Sequence, residues 1–294
     1  MNISIQGLNK IYPNGNQALK DVNLEIKEGM FGLLGPNGAG KSSLMRILVS
    51  LMKPSSGTVL VNGKDAARHR GYVRSMLGYL PQDFSFFSNL TTHEFLDYAA
   101  RLAGMRRGRE RKAAVDNLLE EVGLFDVRSR KAGKLSGGMK RRLGIAQALI
   151  NDPNIIIVDE PTTGLDPEER IRFRNLLARL SSREVIIILS THIVADISST
   201  CEHMALLNRG QVAFTGSPEE LIRQAKGHVW SIYVTEKEYV EVNQKYHVVA
   251  TVMMKDGWKV TVVGDEVEGY RAEPITPNLE HAYVYFVEHV INRS

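Results

Sequence analysis

Cysteine is almost missing from this chain: among 294 residues there is one, Cys201. A single thiol excludes any intrachain disulfide and fits a reducing compartment. With no motif around it, Cys201 reads as a structural residue. Long hydrophobic runs are missing too. No segment approaches the roughly 18 consecutive apolar residues of a membrane-spanning helix, and the longest apolar runs, Ile155–Val158 and Val185–Leu189, have the length of buried strands. The opening residues MNISIQGLNK lack the basic-then-apolar layout of a signal peptide, which predicts a cytoplasmic chain. An excess of one charge is also lacking. With 37 basic and 33 acidic residues the net charge is +4, too little to argue for nucleic acid. What is present, 43% apolar and 24% charged residues, is the balance of a globular protein. The length suits one large domain and a modest appendage.

Along the chain, residues 1–30 alternate apolar and polar (Ile3, Ile5; Val22, Leu24, Ile26) around Asn14–Gly15, which predicts antiparallel strands joined by a turn. A short strand, Phe31–Leu34, then leads through a glycine-rich loop into a helix. Its Leu44, Ile47, Leu48 and Leu51 follow i, i+3, i+4, i+7 and predict one apolar face packed on a sheet. From about Thr91 to Ile150 the pattern is helical: Thr91 and Glu94 make a capping box, and Ser136 precedes the helix of Leu143, Ala146 and Ile150. The β-branched runs at 155–158 and 185–189, separated by a helical stretch, predict a parallel sheet covered on both faces. Beyond Ser217–Gly227 the texture changes. Strands are expected at His228–Val234, Val248–Met253 and Trp258–Val263, the last two joined through Lys255, Asp256 and Gly257. A final helix is expected from Pro277 with Thr276 as its N-cap. The predicted organisation is α/β: a domain over 1–224 with a helical subdomain at about 84–150, and a small α+β appendage over 225–294.

Three segments carry chemistry. GPNGAGKS, Gly35 to Ser42, fits GxxxxGK[ST] between a predicted strand and helix. Glycines at 35, 38 and 40 let backbone N–H groups close around phosphate oxygens, and the helix start adds its positive dipole end. Lys41 reaches for the β- and γ-phosphates, and the Ser42 hydroxyl for Mg²⁺. Second, the buried strand Ile155–Val158 ends in Asp159 and Glu160, at the carboxyl end where α/β sheets bind ligands. Asp159 suits Mg²⁺ and Glu160 a general base acting on water. Third, Leu135, Ser136, Gly137 and Gly138 head a helix, a second anion-binding surface.

LSGGM at 135–139 resembles the signature of the ATP-binding cassette (ABC) family, usually LSGGQ, with Met139 in the last place. The other family positions follow in one order across residues 12–192. Tyr12 matches the aromatic that stacks on adenine. Asn37 and Ser43 belong to the phosphate loop. Gln82, in LPQ, matches the glutamine that senses Mg²⁺ and the attacking water. Asp166, in GLDP, matches the loop that crosses a dimer, and His192 the histidine that contacts the γ-phosphate. The resemblance covers about residues 1–220. It implies an ATPase with a mixed-sheet P-loop core, an N-terminal antiparallel β subdomain and a helical signature subdomain. It also implies a head-to-tail dimer, identical or heterologous, with ATP between the P-loop of one subunit and Ser136–Gly138 of the other. Cofactors are ATP and Mg²⁺; Glu160, His192, Gln82 and Lys41 are the catalytic set, and Ser42, Gln82 and Asp159 the metal set.

Since no segment predicts a membrane span, transport would need a separate permease, which would hold this subunit on the inner face of the cell membrane. Phe84, Phe86, Phe87 and Leu90, just after Gln82, either form its docking groove or pack inside the helical subdomain. The basic run from Arg106 to Lys112 either nears anionic headgroups or forms a solvated helix face. FGLLGPNGAGK, the Met-ending signature and the terminal PNLEHA resemble bacterial drug, antibiotic and sodium exporter subunits, with His281 where an acidic residue is common. The competing class is a soluble ABC ATPase acting on nucleic acid or ribosomes. Those forms usually carry two cassettes, coiled-coil insertions or zinc-binding cysteines, and this chain shows one cassette and one cysteine.

Overall fold

The structure, a computed structural model, describes residues 1–291. The chain folds as two units, Met1–Thr215 and Gly216–Ser294. The division falls before the expected 224/225 boundary because the helix Pro218–Gln224 packs on the helix Leu279–Tyr285 of the second unit.

Within the first unit, β1 (Asn2–Ile11), β2 (Gln17–Lys27) and β3 (Gly29–Leu34) open the chain, followed by β4 (Ser56–Val61), β5 (Lys64–Asp65) and β6 (Leu77–Leu80). Four more follow: β7 (Ile155–Asp159), β8 (Ile186–Thr191), β9 (His203–Asn208) and β10 (Gln211–Gly216). The alternating segments pair antiparallel in the order β2-β1-β4-β5, with the hairpin turned at Asn14–Gly15. The continuous apolar segments form the second sheet, in the order β10-β9-β3-β8-β7-β6. Here β6, β7, β8, β3 and β9 run parallel, so their carboxyl ends share one edge. Every residue of β7 and β8 is buried, which is why both read as unbroken β-branched runs rather than alternations.

The helix Lys41–Leu48 lays Leu44, Ile47 and Leu48 on this core, as the spacing predicts. Leu51 does not follow. The helix has ended and Ser50 takes φ +57°, so Leu51 is 66% exposed. Helices Thr92–Leu102, Gly108–Glu121 and Gly137–Leu149 make the helical subdomain, the first started by the expected Thr91–Glu94 capping box.

The second unit holds β11 (Val229–Val234), β12 (His247–Met254), β13 (Gly257–Val263) and β14 (Ala272–Pro274), ordered β12-β13-β11-β14. Ile232, Val234, Val260 and Val262 pack against Val242 of the helix Glu236–Lys245, an element not expected from the sequence pattern. Its start is nonetheless encoded, because Thr235 and Glu238 form a capping box. The last helix begins at Leu279 with Asn278, not Thr276, as its cap. Asn278 Oδ1 accepts from His281 N at 2.9 Å, so His281 stands at a helix start. Past Tyr285 the helix widens to π-type turns over Phe286–Ile291.

Ile157 is fully buried between Tyr79 and Ile188 on the neighbouring strands. Replacing it with alanine is expected to cost about 2–5 kcal/mol of stability. Urea unfolding of the variant measures this, and an unchanged midpoint would contradict the central position of β7.

Candidate active site

Strands β3, β7 and β8 end side by side, and each delivers part of one site at its carboxyl end. From β3 the chain enters the loop Gly35–Gly40. A side chain at Gly40 would set its Cβ 2.4 Å from the Ala18 carbonyl oxygen, at φ +107°, so only glycine fits this turn into the helix. That helix starts at Lys41, and its first N–H groups have no intrahelical partners to meet. Lys41 itself is buried. Its Nζ donates to Gly35 O at 2.7 Å and Pro36 O at 3.2 Å, and lies 3.3 Å from Glu160 Oε1. Asn37 and Gly38 are exposed at the tip of the loop. Tyr12 stands at the rim, its hydroxyl 2.9 Å from Ser43 Oγ.

At the end of β7, Asp159 and Glu160 diverge. Asp159 is buried, and its Oδ1 has no partner in hydrogen-bonding geometry among the described residues. Burial raises its carboxyl above the usual carboxylate range; the hydroxyls of Ser190 and Ser42 oppose the shift, the Glu160 charge adds to it and Lys41 reduces it. An unpaired buried carboxylate oxygen with hydroxyls beside it is the hard oxygen donor set that suits Mg²⁺. Glu160 takes φ +49°, a conformation costly for a non-glycine residue, while its N–H donates to Ser190 O at 2.8 Å. Three groups meet its carboxylate: Lys41 at Oε1, with His192 Nδ1 donating at 2.6 Å and Thr163 Oγ1 at 3.2 Å to Oε2. Breaking such a buried pair by removing one partner typically costs about 3–5 kcal/mol. The Lys41 and Glu160 side chains are 6% and 5% exposed, whereas His192 at 37% reaches solvent.

The remaining expected residues lie apart from this cluster. Ser136 caps the helix Gly137–Leu149, its Oγ accepting from Met139 N at 3.2 Å. Ser136 and Gly137 are exposed; Gly138 is buried, and a Cβ there would strike the Glu169 side chain at 2.2 Å. The residue at 139 thus contributes its backbone N–H to the cap. Asp166 caps the helix Pro167–Ser181 through Glu169 N at 2.8 Å. Gln82 is exposed, with its carbonyl accepting from Arg141 Nη1 at 2.6 Å. Thr163, Ser190 and Arg141 were not expected from the sequence. For Ser190 a signal existed, the first polar residue after the apolar run of its strand.

The aromatic residues after Gln82 divide between the interior and the surface. Phe84 and Phe86 pack with Phe95 at ring separations of 5.7–6.1 Å inside the helical subdomain. Phe87 is 58% exposed and meets Tyr98 edge-on at 5.5 Å. Both border a cleft of about 400 Å³ that Leu102 and Ile150 also line, and Leu90 lies outside it, half-buried. Of the basic run, Arg111 turns inward to Asp97 at 2.6 Å and Arg107 pairs with Glu110, so part of it serves the subdomain's own charges.

Residues 19–163 match the family model described as ABC transporter. An uncharacterized ABC transporter ATP-binding protein of Bacillus subtilis, YxlF, is 35% identical over 85% of this chain and 82% of its own length. YbhF of Escherichia coli, described as a probable multidrug ABC transporter ATP-binding protein, is 37% identical over 76% of this chain but 39% of its own. Among solved structures, the dimeric ATP-binding cassette MJ0796 in a post-hydrolysis state with ADP and Pi aligns with a TM-score of 0.67. It is 28% identical over 73% of this chain and 98% of that one.

Gly40→Ala is expected to strain the phosphate loop by about 1–3 kcal/mol. Equilibrium binding should therefore show ATP affinity lower by about 5- to 100-fold, since each 1.4 kcal/mol is a factor of about ten. Unaltered affinity would mean that this loop does not hold the triphosphate.

Proposed function

The chain belongs to the ATP-binding proteins of ABC transporters and is an ATPase; on that premise we propose that it drives export through a separate membrane-spanning permease, with Glu160 as the general base. The observation that carries the reading is the convergence of Lys41, His192 and Thr163 on the Glu160 carboxylate at the mouth of the phosphate loop. A carboxylate so placed takes a proton from a water as the water oxygen attacks the γ-phosphorus. The bond to the bridging oxygen then breaks, and ADP and phosphate leave. Lys41 holds the β- and γ-phosphates, and His192 keeps Glu160 aimed and contacts the γ-phosphate. Tyr12 stacks on adenine. Asp159, Ser42 and Gln82 would hold Mg²⁺, which neutralises charge on the phosphate oxygens.

A second cassette completes the site. The start of the helix Gly137–Leu149, where Ser136 and Gly137 are exposed, offers Ser136 and the first N–H groups of the helix to the γ-phosphate bound by the other copy, beside the Asp166 turn. The dimeric form of the cassette MJ0796 supports this arrangement. Among the described residues no helix is long and apolar enough to cross a membrane, and on this reading a separate partner supplies the translocating element. The cleft bordered by Phe87, Tyr98 and Leu102 is the docking place for the permease, which would hold the subunit on the cytoplasmic face of the membrane. The likeness to YbhF, and the exporter-type resemblance of its phosphate-loop and terminal segments, support the outward direction.

Glu160→Gln preserves shape and removes the base, so turnover should fall about 10²- to 10⁴-fold. Equilibrium binding should show ATP affinity retained, and light scattering should show ATP-dependent dimers that persist. Steady-state turnover near that of the parent would remove Glu160 from the role of base.

A further inference from the structure

Asp196 is a buried acid outside the catalytic set assigned above. It lies in the short helix Val194–Ser198, fully inaccessible, with Oδ1 lacking a hydrogen-bond partner among the described residues. Its Oδ2 accepts from Thr162 Oγ1, and Thr191 Oγ1 approaches it at 3.5 Å. Its own main chain is also held, its N–H donating to Ile193 O and its carbonyl accepting from Thr200 Oγ1. Burying an acid with one oxygen unsatisfied costs more than burying an apolar side chain of similar size. The local fold gives no return for that cost, because five helical residues do not need a buried acid to form.

What Asp196 touches explains it. Thr162 lies two residues past Glu160 and four before Asp166, within the turn joining β7 to the helix Pro167–Ser181. Thr191 is the last residue of β8 and precedes His192; its Oγ1 also accepts from Ile193 N at 3.0 Å. Asp196 thus ties together the two segments that carry Glu160 and His192, independently of the 2.6 Å contact between them. Glu160 holds a strained backbone conformation, and such a conformation persists only where its surroundings over-determine it.

We propose that Asp196 is a positioning residue for ATP hydrolysis, setting the Glu160–His192 pair and the path of the Asp166 turn through Thr162 and Thr191. The proposal rests on the reading of Glu160 and His192 as the hydrolytic pair. Removing the tether misplaces Glu160 and His192 while leaving the phosphate loop and Lys41 in place, and such a misplacement costs on the order of 10²-fold in rate. The effect therefore belongs in kcat and not in KM.

The test uses the full chain, with turnover counted per ATP-binding site so that misfolded protein does not enter the rate. Asp196→Ala is expected to lower kcat about 10- to 100-fold with KM for ATP within about twofold. Thr162→Val leaves the acid in place and removes its donor. It should lower kcat by about fivefold or more even where Asp196→Ala fails to fold. In a His192→Ala background, Asp196→Ala should add little, because both act on one geometry. Parent-like kcat in Thr162→Val would overturn the proposal. So would a loss confined to KM, or multiplicative losses in the double variant. Full turnover in Glu160→Gln and His192→Ala would instead sink the reading beneath it, and is seen in those single variants alone.

Discussion

Where the strands β3, β7 and β8 stop decides the chemistry of the first unit. Their parallel pairing brings the phosphate loop, the Asp159–Glu160 pair and His192 to one edge, although they are spread over more than 150 residues of chain. At that edge the Glu160 carboxylate is shared between a lysine from the loop and a histidine from the neighbouring strand end. A buried carboxylate needs such partners, or its desolvation would be prohibitive. In the proposed mechanism the same partners hold it in line for a proton transfer. On that reading the ion cluster serves folding and catalysis at once.

Around this edge the fold divides labour by burial. The groups proposed to face the triphosphate sit on rigid elements: Lys41 at a helix start, Glu160 at the end of a fully buried strand. Under the proposed function, the groups offered to a second cassette or to sensing, Ser136, Asp166 and Gln82, are exposed and belong to helix caps or loops. A cap suits that role because its geometry is already fixed. Ser136 and Asp166 each satisfy an N–H of their own helix while presenting the helix start outward. The second unit has a separate core around Ile232, Val260 and Val262, and its Trp230 is anchored by Nε1 donating to Gly264 O at 3.0 Å.

Much of this was legible beforehand, for physical reasons that can be stated residue by residue. The buried strands declared themselves because a sheet covered on both faces demands unbroken apolar runs, as at 155–158 and 185–189. Capping boxes at Thr91 and Thr235 are local hydrogen-bond arrangements and need nothing distant. The helix that the second starts shows no apolar face in the sequence, because it has few apolar residues and its one fully buried side chain is Val242. Leu51 misled because periodicity continues past a helix end that a left-handed Ser50 imposes. The aromatics after Gln82 could not be sorted, since a phenylalanine serves a core and an interface equally. Only packing against Phe95 separated Phe84 and Phe86 from the exposed Phe87.

By itself the sequence determined the kind of protein: local spacing specifies a phosphate loop, a signature helix and a strand-end acid pair, since each is built from neighbours in the chain. What tertiary structure alone decided is which of those groups touch. The contact between Glu160 and His192, the burial that leaves Asp159 Oδ1 unpaired and the tether at Asp196 all join residues from different strands or loops. Such contacts depend on sheet order and register, which distant pairings set and no local pattern carries.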